Sequence, residues 1–283
     1  MNDYGGGFKA RTWFVAAVLA AFLAGCGSGD EIFGNSGAGG GPGPAGPAPA
    51  LGLASTFGAL TCAALSGSTA LPTGTTVNGN IGTTATSTSI TNFVGGGPPA
   101  TPGIVNGTIF ASDLPTPGNT TSATAIADAN TARLAGATAG ALGTLVSTAN
   151  LGAQVGFGPA AGTFLPGAYR SGSSMAISTP ITLDAQGNGN AVWIFFMPSS
   201  TLTTTGTGNV LLANGAQAKN ISWVVGSSAT LGAPLFNGNI LAATAISVTT
   251  VPTIENGRLL TSGPTCAAVT FDANLHTVNV PAP

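Results

Sequence analysis

Short apolar runs separated by glycine, asparagine and proline follow one another from Leu51 onward. Three of the runs are nearly continuous: "AVWIFFM" (191–197), "NISWVVG" (220–226) and "AISVTTV" (245–251). Runs of this length and composition are typical of strands that are covered on both faces. The pattern therefore predicts a mainly β domain with another layer packed over part of it.

A segment in which threonine or serine alternates with apolar residues follows each run: "STLTTTG", "SATLGAP" and "PTIENGR". A third apolar segment comes next in every case: "NVLLANG", "LFNGNILA" and "RLLTSG". The trio recurs about every 25 to 30 residues, a period that is typical of a solenoid. We interpret each repeat as one coil with a covered wall, a threonine-rich wall and a wall closed by Asn-Gly turns.

One segment, from Gly118 to Thr148, breaks this pattern because it is rich in alanine and contains no proline. It predicts a single long α-helix over about residues 119–148. The larger apolar residues recur on roughly one side of it: Ile126, Leu134, Leu142 and Leu145. Since Gly136, Gly140 and Gly143 weaken the helix, we expect this apolar side to be buried against the covered wall.

The composition narrows the possible functions. Only 5% of the 283 residues are charged, the net charge is −2, and there are 44 glycines and 19 prolines. A mean hydropathy of +0.41 argues against a solvated disordered chain. No basic cluster offers a nucleic acid an electrostatic footprint, and no acidic run indicates a multi-site calcium protein.

Catalytic chemistry has little support in the sequence. His276, the only histidine, lies near the C-terminus and is expected at the surface. The acidic residues Asp113, Asp184 and Asp272 are scattered beside turn residues, where capping is the usual role. A zinc-ligand cluster, a phosphate loop and a Ser/His/Asp spacing are all missing. We therefore predict a protein without enzymatic activity, metal or cofactor.

The N-terminal residues have the pattern of an export signal. Lys9 and Arg11 precede "WFVAAVLAAFLAG" (13–25), an apolar run too short for a comfortable membrane span. The run ends in "LAGC" (23–26), which resembles a bacterial lipobox and implies cleavage before Cys26 and lipidation of that residue. The alternative is an ordinary signal peptide with a chance cysteine, which would give a secreted protein.

These features predict three regions: a lipoprotein signal peptide over 1–25, a tether over 26–50 that starts at the lipid-anchored Cys26, and a globular domain over 51–283. The tether is rich in glycine, proline and alanine and cannot bury a core. Because Gly27 rather than aspartate follows the cysteine, a Gram-negative cell is expected to place the protein in its outer membrane, at the cell surface.

Several stretches of the domain are familiar: "VNGNIG" (77–82), "LPGAYRSGSS" (165–174), "ITLDAQGNGNAVWIFFMPSSTLTT" (181–204) and "NGAQAKNISWVVGSSATLG" (214–232). In order and spacing the chain resembles the microbial ice-binding (antifreeze) proteins from about Leu51 to Asp272. The resemblance implies an irregular, discontinuous three-walled β-solenoid with one long α-helix alongside. It also implies that the N-terminal coil lies near the C-terminal strands.

That placement makes a disulfide between Cys62 and Cys266 plausible in an exported protein. The bond would close a loop of about 200 residues, with a nominal stabilisation of about 4 to 5 kcal/mol. Two buried free thiols are the alternative.

The alternation within each coil assigns outward side chains to the threonine-rich wall. Leu202, Ala229 and Leu231 are expected to point inward, which leaves their neighbours outside. The predicted ice-binding residues are Thr69, Ser89, Thr91, Ala176, Ser178, Thr201, Thr203, Ser228, Thr230 and Thr253. Glu255 does not fit such a wall, so we expect the active patch to end before the last coil.

Stacked strands would set these small residues on a grid of about 4.8 by 6.6 Å. A rigid, uncharged grid of methyls and hydroxyls can order water into an ice-like layer, whereas long charged side chains would disturb that layer. The sequence therefore predicts a monomeric protein that binds ice and inhibits its growth and recrystallisation, with the membrane as a second partner through Cys26. Threonine is also simply common on exposed strands. An adhesion or structural module that binds polysaccharide is the alternative.

Overall fold

A computed structural model describes residues 45–69, 74–95, 103–249, 253–272 and 274–282. The described residues contain one α-helix, α1 (Gly118–Ala141), and four short 3-10 helices at Gly52–Thr56, Ser87–Ser89, Leu151–Ala153 and Ala218–Asn220. Short strands make up most of the remaining regular structure. The predicted mainly β architecture is confirmed.

The strands, in chain order, are β1 (Phe57–Thr61), β2 (Leu65–Ser66), β3 (Thr75–Asn78), β4 (Asn80–Thr83), β5 (Ile90–Thr91), β6 (Val94–Gly95), β7 (Ile104–Val105), β8 (Ile109–Phe110), β9 (Thr144–Leu145), β10 (Thr163–Phe164), β11 (Gly167–Arg170), β12 (Met175–Ile177), β13 (Ile181–Asp184), β14 (Trp193–Met197), β15 (Leu202–Thr205), β16 (Val210–Ala213), β17 (Ile221–Val225), β18 (Ala229–Gly232), β19 (Leu235–Ala242), β20 (Ile246–Val248), β21 (Thr253–Thr261), β22 (Val269–Phe271) and β23 (His276–Asn279).

The strands form three parallel sheets, which are the walls of the solenoid. A seven-stranded sheet has the order β12-β15-β18-β20-β22-β2-β5, and a three-stranded sheet has the order β10-β13-β16. The remaining thirteen strands form the third sheet. Each strand pairs with the equivalent strand of the next coil, so hydrogen bonds run along the solenoid axis.

The coils differ in length, which the sequence periodicity did not reveal. Ile194 pairs with Ser222, 28 residues on, but Ser222 pairs with Asn239 only 17 residues on. The long strands β19 and β21 shorten their coils because they replace two strands and a turn. The third predicted trio was therefore wrong: "AISVTTV" contributes β20 to the seven-stranded sheet, whereas "PTIENGR" belongs to β21 of the thirteen-stranded sheet.

The stacking order is discontinuous, as the family resemblance implied. The first strand, β1, pairs with β21, while β2 pairs with β22 and β3 pairs with β23. The N-terminal coil therefore lies in the middle of the stack, beside the last coil of the chain.

Two features join this first coil to the last. Cys62 and Cys266 form a disulfide bond, the pairing that the resemblance implied. Arg258 is buried and donates hydrogen bonds to Ser55 O (2.8 Å), Asn239 Oδ1 (2.8 Å) and Pro281 O (3.1 Å). Burial lowers the pKa of Arg258 to about 10, so the guanidinium still carries its charge at neutral pH. One side chain thus holds both ends of the folded domain.

The interior is filled by side chains that stack from coil to coil. Tyr169, Phe195 and Trp223 occupy equivalent positions in β11, β14 and β17. Their rings are stacked, with centroids 5.2 Å and 4.2 Å apart. Both buried tryptophans also satisfy their ring N–H groups with backbone carbonyls. This ladder fixes the register of neighbouring coils and thereby keeps the walls flat.

The helix packs along the thirteen-stranded sheet from β8 to β11, so its predicted position is confirmed. It ends at Ala141, seven residues before the predicted end, and Thr144 and Leu145 form the edge strand β9 instead. The predicted buried side was also wrong. Leu134, Leu142 and Leu145 are 52%, 88% and 51% exposed, whereas the buried side carries small residues: Gly118, Ser122, Ala125, Ala129, Ala132, Gly136 and Gly140.

The reason lies in the sheet, whose outward residues Ile194, Val224, Leu241 and Leu260 fill the space between the two layers. A Cβ on Gly136 would lie 2.7 Å from Val224 Cγ2, and one on Gly140 would overlap Phe196. The helix is therefore close to the sheet because its packed face is small, and the bulk comes from the strands.

This close approach predicts that Gly140→Ala destabilises the domain. Alanine favours an isolated helix by about 1 kcal/mol, but forcing a methyl into a tight interface typically costs about 1–3 kcal/mol. We expect a net loss in the free energy of unfolding, measured by guanidinium titration. Thr138→Ala, at an exposed position of the same helix, should leave stability unchanged or slightly higher. A Gly140→Ala variant more stable than the parent would contradict the packing.

The folded body begins before the predicted boundary at Leu51. Ala45 is buried, and Pro49 lies against Gly136 of the helix. No helix among the described residues combines the length and apolar character that a membrane crossing needs.

Candidate functional site

The outer side of the seven-stranded sheet carries a single row of small side chains. Register pairs Ala176 with Thr203, Thr203 with Thr230, and Thr230 with Ser247, and the row continues through Thr270 and Ser66 to Thr91. We call the outer side of this sheet, centred on that row, the hydroxyl wall. Seven positions at the usual strand spacing give a row about 29 Å long.

Rows on either side widen the wall. Backbone hydrogen bonds align Ser174, Thr201, Ser228, Ala245, Ala268 and Ala64 on one side of the central row. On the other side, Thr205 pairs with Gly232. The inward positions between the rows carry buried apolar residues such as Leu202, Leu231 and Val248. Since every outward residue is small and every inward one is locked in the core, the wall is flat and rigid.

Hydroxyl groups in the middle of the wall differ in their bonding from those near its end. Thr270 Oγ1 donates to Ser247 Oγ at 3.3 Å, and Thr91 Oγ1 donates to Ser66 Oγ at 3.2 Å. The hydroxyls of Thr203 and Thr230 make no hydrogen bond to any other described residue. These two groups are therefore free to bond with water, and they lie side by side in β15 and β18.

Charge is almost absent from the wall in the part of the chain that the structure describes. The exception is Asp272 at its border, directly after β22. Its carboxylate accepts hydrogen bonds from Asn274 Nδ2 and lies 2.8 Å from His276 Nε2, so it is engaged on the protein side. The rows of small residues are free of long charged side chains, which would carry mobile hydration of their own.

The structure brings most of the predicted residues together on this wall. Ala176, Thr203, Thr230 and Thr91 lie in the central row, while Thr201 and Ser228 lie in the flanking row. Ser89 directly precedes β5, and Ser178 directly follows β12. These positions agree with the alternation of outward and inward residues within each coil.

Two predicted positions were wrong. Thr253 lies in β21 and pairs with Leu235 and Thr277 in the thirteen-stranded sheet, so it is not on the hydroxyl wall. The objection that Glu255 raised disappears for the same reason, because it belongs to β21 as well. Thr69 lies in the loop after β2, and Ser66 takes the place in the row.

Sequence reasoning missed Ser66, Ser247 and Thr270, which complete the central row. All three occur in short apolar–hydroxyl–apolar triplets: "LSG", "ISV" and "VTF". The triplet is the signal that could have found the latter two, but the short coils moved them out of the assumed period.

Residues considered for catalysis serve structural roles. Asp184 accepts hydrogen bonds from Asn214 Nδ2 and Gln186 N, and these lower the pKa of its carboxyl group. Asp113 is bound in the same way by the side chain and backbone amide of Ser87, which lower its pKa. The predicted turn and capping roles are confirmed for both. His276 was wrongly expected at the surface: it is buried and paired with Asp272. Among the described residues, no three metal-ligating side chains come together.

Comparison with known proteins connects this geometry to a family. A family model described as Ice-binding-like matches residues 62–277. The ice-binding protein of Nostoc sp. (strain HG1) is 39% identical over 225 residues, which are 79% of this chain and 72% of that protein. These names agree with the ice-binding interpretation and lend no support to the adhesion alternative.

Two solved structures have the same fold. The crystal structure of an ice-binding protein from the Antarctic ascomycete Antarctomyces psychrotrophicus is 35% identical, with a TM-score of 0.64 over 82% of this chain and 98% of that chain. A domain of Shewanella frigidimarina ice-binding protein 1 is 24% identical, with a TM-score of 0.67 over 83% of this chain and 98% of that chain. From the family match and these likenesses together, the chain belongs to the Ice-binding-like family.

Proposed function

We propose that this protein adsorbs to ice through the hydroxyl wall and thereby inhibits ice growth and recrystallisation. The observation that carries the proposal is the seven-residue central row, in which small side chains repeat at strand spacing without an intervening charge. Membership of a family whose named relatives are ice-binding proteins supports it. The protein acts by binding, without a cofactor.

The wall suits ordered water for two reasons. Threonine methyls on a rigid grid favour cage-like water between them, and free hydroxyls such as those of Thr203 and Thr230 anchor that water at defined points. The grid needs little reordering when ice replaces the liquid. A protein held at many such points forces the ice front to curve between neighbouring molecules, and curvature stops growth over a limited range of temperature.

The direct test uses the soluble chain with Cys26→Ser. We expect shaped ice crystals, a measurable gap between melting and freezing points, and smaller grains in a recrystallisation assay. Size-exclusion chromatography with light scattering should give a monomer. Ordinary disc-shaped crystals and coarsening at the rate of a protein-free control would contradict the proposed function.

We further propose that the chain is exported and anchored by lipid at Cys26. The support is the sequence "LAGC" after a basic and apolar N-terminal stretch. Residues 1–44, which include the predicted signal peptide and nearly all of the predicted tether, lie outside the described residues. Because about 0.8 kcal/mol is gained per buried CH₂, several acyl chains would hold the domain firmly at an outer-membrane or cell surface.

We therefore expect Cys26→Ser to move the protein from the membrane fraction to the soluble fraction of a Gram-negative host. The matched control is Ser28→Ala, which changes a side chain two residues away and should leave the protein in the membrane fraction. Fractionation with mass spectrometry of the N-terminal peptide checks both. An unlipidated N-terminus in the parent chain would mean that the signal peptide is an ordinary one.

A further inference from the structure

Exposed apolar side chains are concentrated at one end of the solenoid. Leu142, Leu145 and Val155 are 88%, 51% and 69% exposed. All three belong to the last coil of the stack, because β9 and β10 are the edge strands of their sheets and Asn150 makes the outermost bridge, to Ala176. The Gln154 side chain bonds to Ser147 N and Thr148 O and so holds Val155 near β9. We call Leu142, Leu145 and Val155 the end patch.

The charge around the end patch has one sign. Arg170 pairs with Leu145 in the sheet, is exposed, and donates to Gly143 O at 3.0 Å. Within residues 142–183 it is the only charged side chain in the sequence. Its guanidinium makes no ion pair with the described residues. Apolar side chains beside a free cation are the combination that binds the surface of an anionic bilayer.

The N-terminal segment leaves the folded body toward this same end. Leu53 N donates to Asp128 Oδ2 at 2.8 Å, and Pro49 lies against Gly136, two turns further along the helix. Followed back toward Ala45, the segment therefore runs toward the helix C-terminus at Ala141. Leu142 is the residue directly after that terminus.

The length of the tether completes the argument. Eighteen residues separate Cys26 from Ala45, and a flexible chain of that length has a root-mean-square span of about 25 Å. An anchored domain would thus be confined near the bilayer at an effective concentration of the order of millimolar. At that concentration even a weak contact between the end patch and lipid is occupied for a large part of the time.

We propose that the end patch rests on the surface of an anionic lipid bilayer, with its three apolar side chains at the headgroup boundary and Arg170 against lipid phosphate. This docking rests on the proposed anchor at Cys26. It sets the solenoid axis away from the membrane, because the coils stack outward from this end. The hydroxyl wall then stands clear of the lipid along its whole length.

The test uses the full lipidated chain in vesicles of phosphatidylcholine and phosphatidylglycerol, with an environment-sensitive dye on Leu142→Cys. Leu275→Cys is the matched control, since Leu275 is also an exposed leucine, at 42%, but lies several coils away. Cys62 and Cys266 are bonded to each other and do not take the dye. We expect a blue shift at 142, about a twofold loss of its emission to quencher-bearing lipid, and neither effect at 275.

Flotation of the vesicles separates the two proposals. A protein that floats but shows no shift at 142 overturns the docking and leaves the anchor intact. Equal quenching at both positions overturns it too, because the domain would then contact lipid without orientation. A protein that does not float removes the anchor and the docking with it. A shift at 142 that depends on protein concentration without vesicles assigns the end patch to a second copy of the chain.

Docking also predicts the effect of removing the end patch. Leu142→Ser combined with Val155→Ser should abolish the blue shift of a dye placed on Leu145→Cys, without changing flotation or ice shaping. A dye at Leu145→Cys that still moves to the blue in this double variant would overturn the role of the patch.

Discussion

Thr203→Tyr is expected to reduce the thermal hysteresis of the protein to about half or less, and Thr203→Tyr with Thr230→Tyr to remove most of it. A tyrosine ring stands above the surrounding methyls and holds ice away from its neighbours, which lie about 4.8 Å away on either side. In a row of seven, one ring thus disturbs about three positions. The two threonines lie next to each other in the central row, so their combined effect covers the middle of the wall.

The matched control is Thr182→Tyr. Thr182 is a half-buried threonine in β13, between Thr163 and Leu211 of the three-stranded sheet, on another wall of the same solenoid. It should leave hysteresis unchanged. Equal melting temperatures for the three proteins would exclude unfolding as the cause. If Thr182→Tyr lowered activity as much as Thr203→Tyr, the assignment of ice binding to the hydroxyl wall would be wrong.

Cys62→Ser combined with Cys266→Ser is expected to lower the free energy of unfolding by about 5 kcal/mol. The two residues are 204 apart, and releasing so long a loop restores much conformational freedom to the unfolded chain. For a domain of this size the loss corresponds to a melting temperature lower by about 10–20 °C. Fluorescence of the buried Trp193 and Trp223 reports the transition.

Treatment of the Cys26→Ser chain with a reductant provides the control, because it breaks the same bond without a substitution. Both routes should give the same decrease in melting temperature. A decrease of only a few degrees would mean that Arg258 and the strand pairing already hold the first coil in place.

Fold class and helix position could be predicted because each depends on local pattern. The apolar runs of β14 and β17 and the alanine-rich segment of α1 carry their own signals in period and composition. The buried side of the helix could not be predicted, because it depends on the bulk of Val224 and Phe196 across the interface. Leucine is usually the buried residue of a helix, and here glycine and alanine are buried instead.

Part of the candidate site could be predicted for a similar reason. Thr203 and Thr230 lie in full-length coils, where alternation and period agree. Ser247 and Thr270 lie where β19 and β21 shorten the coil to 17 and 19 residues, as the pairs Ser222 with Asn239 and Asn239 with Arg258 record. A fixed period therefore placed Thr253 on the wrong wall. Only the register between strands distant in sequence corrects it.

The central position of the first coil has a consequence for biosynthesis. Residues 57–83 leave the ribosome early, but their neighbours in the stack, β21, β22 and β23, are made last. The solenoid cannot grow coil by coil in the order of translation. Its N-terminal coils lack a surface to stack on until almost the whole chain exists, so the domain closes as a unit after synthesis.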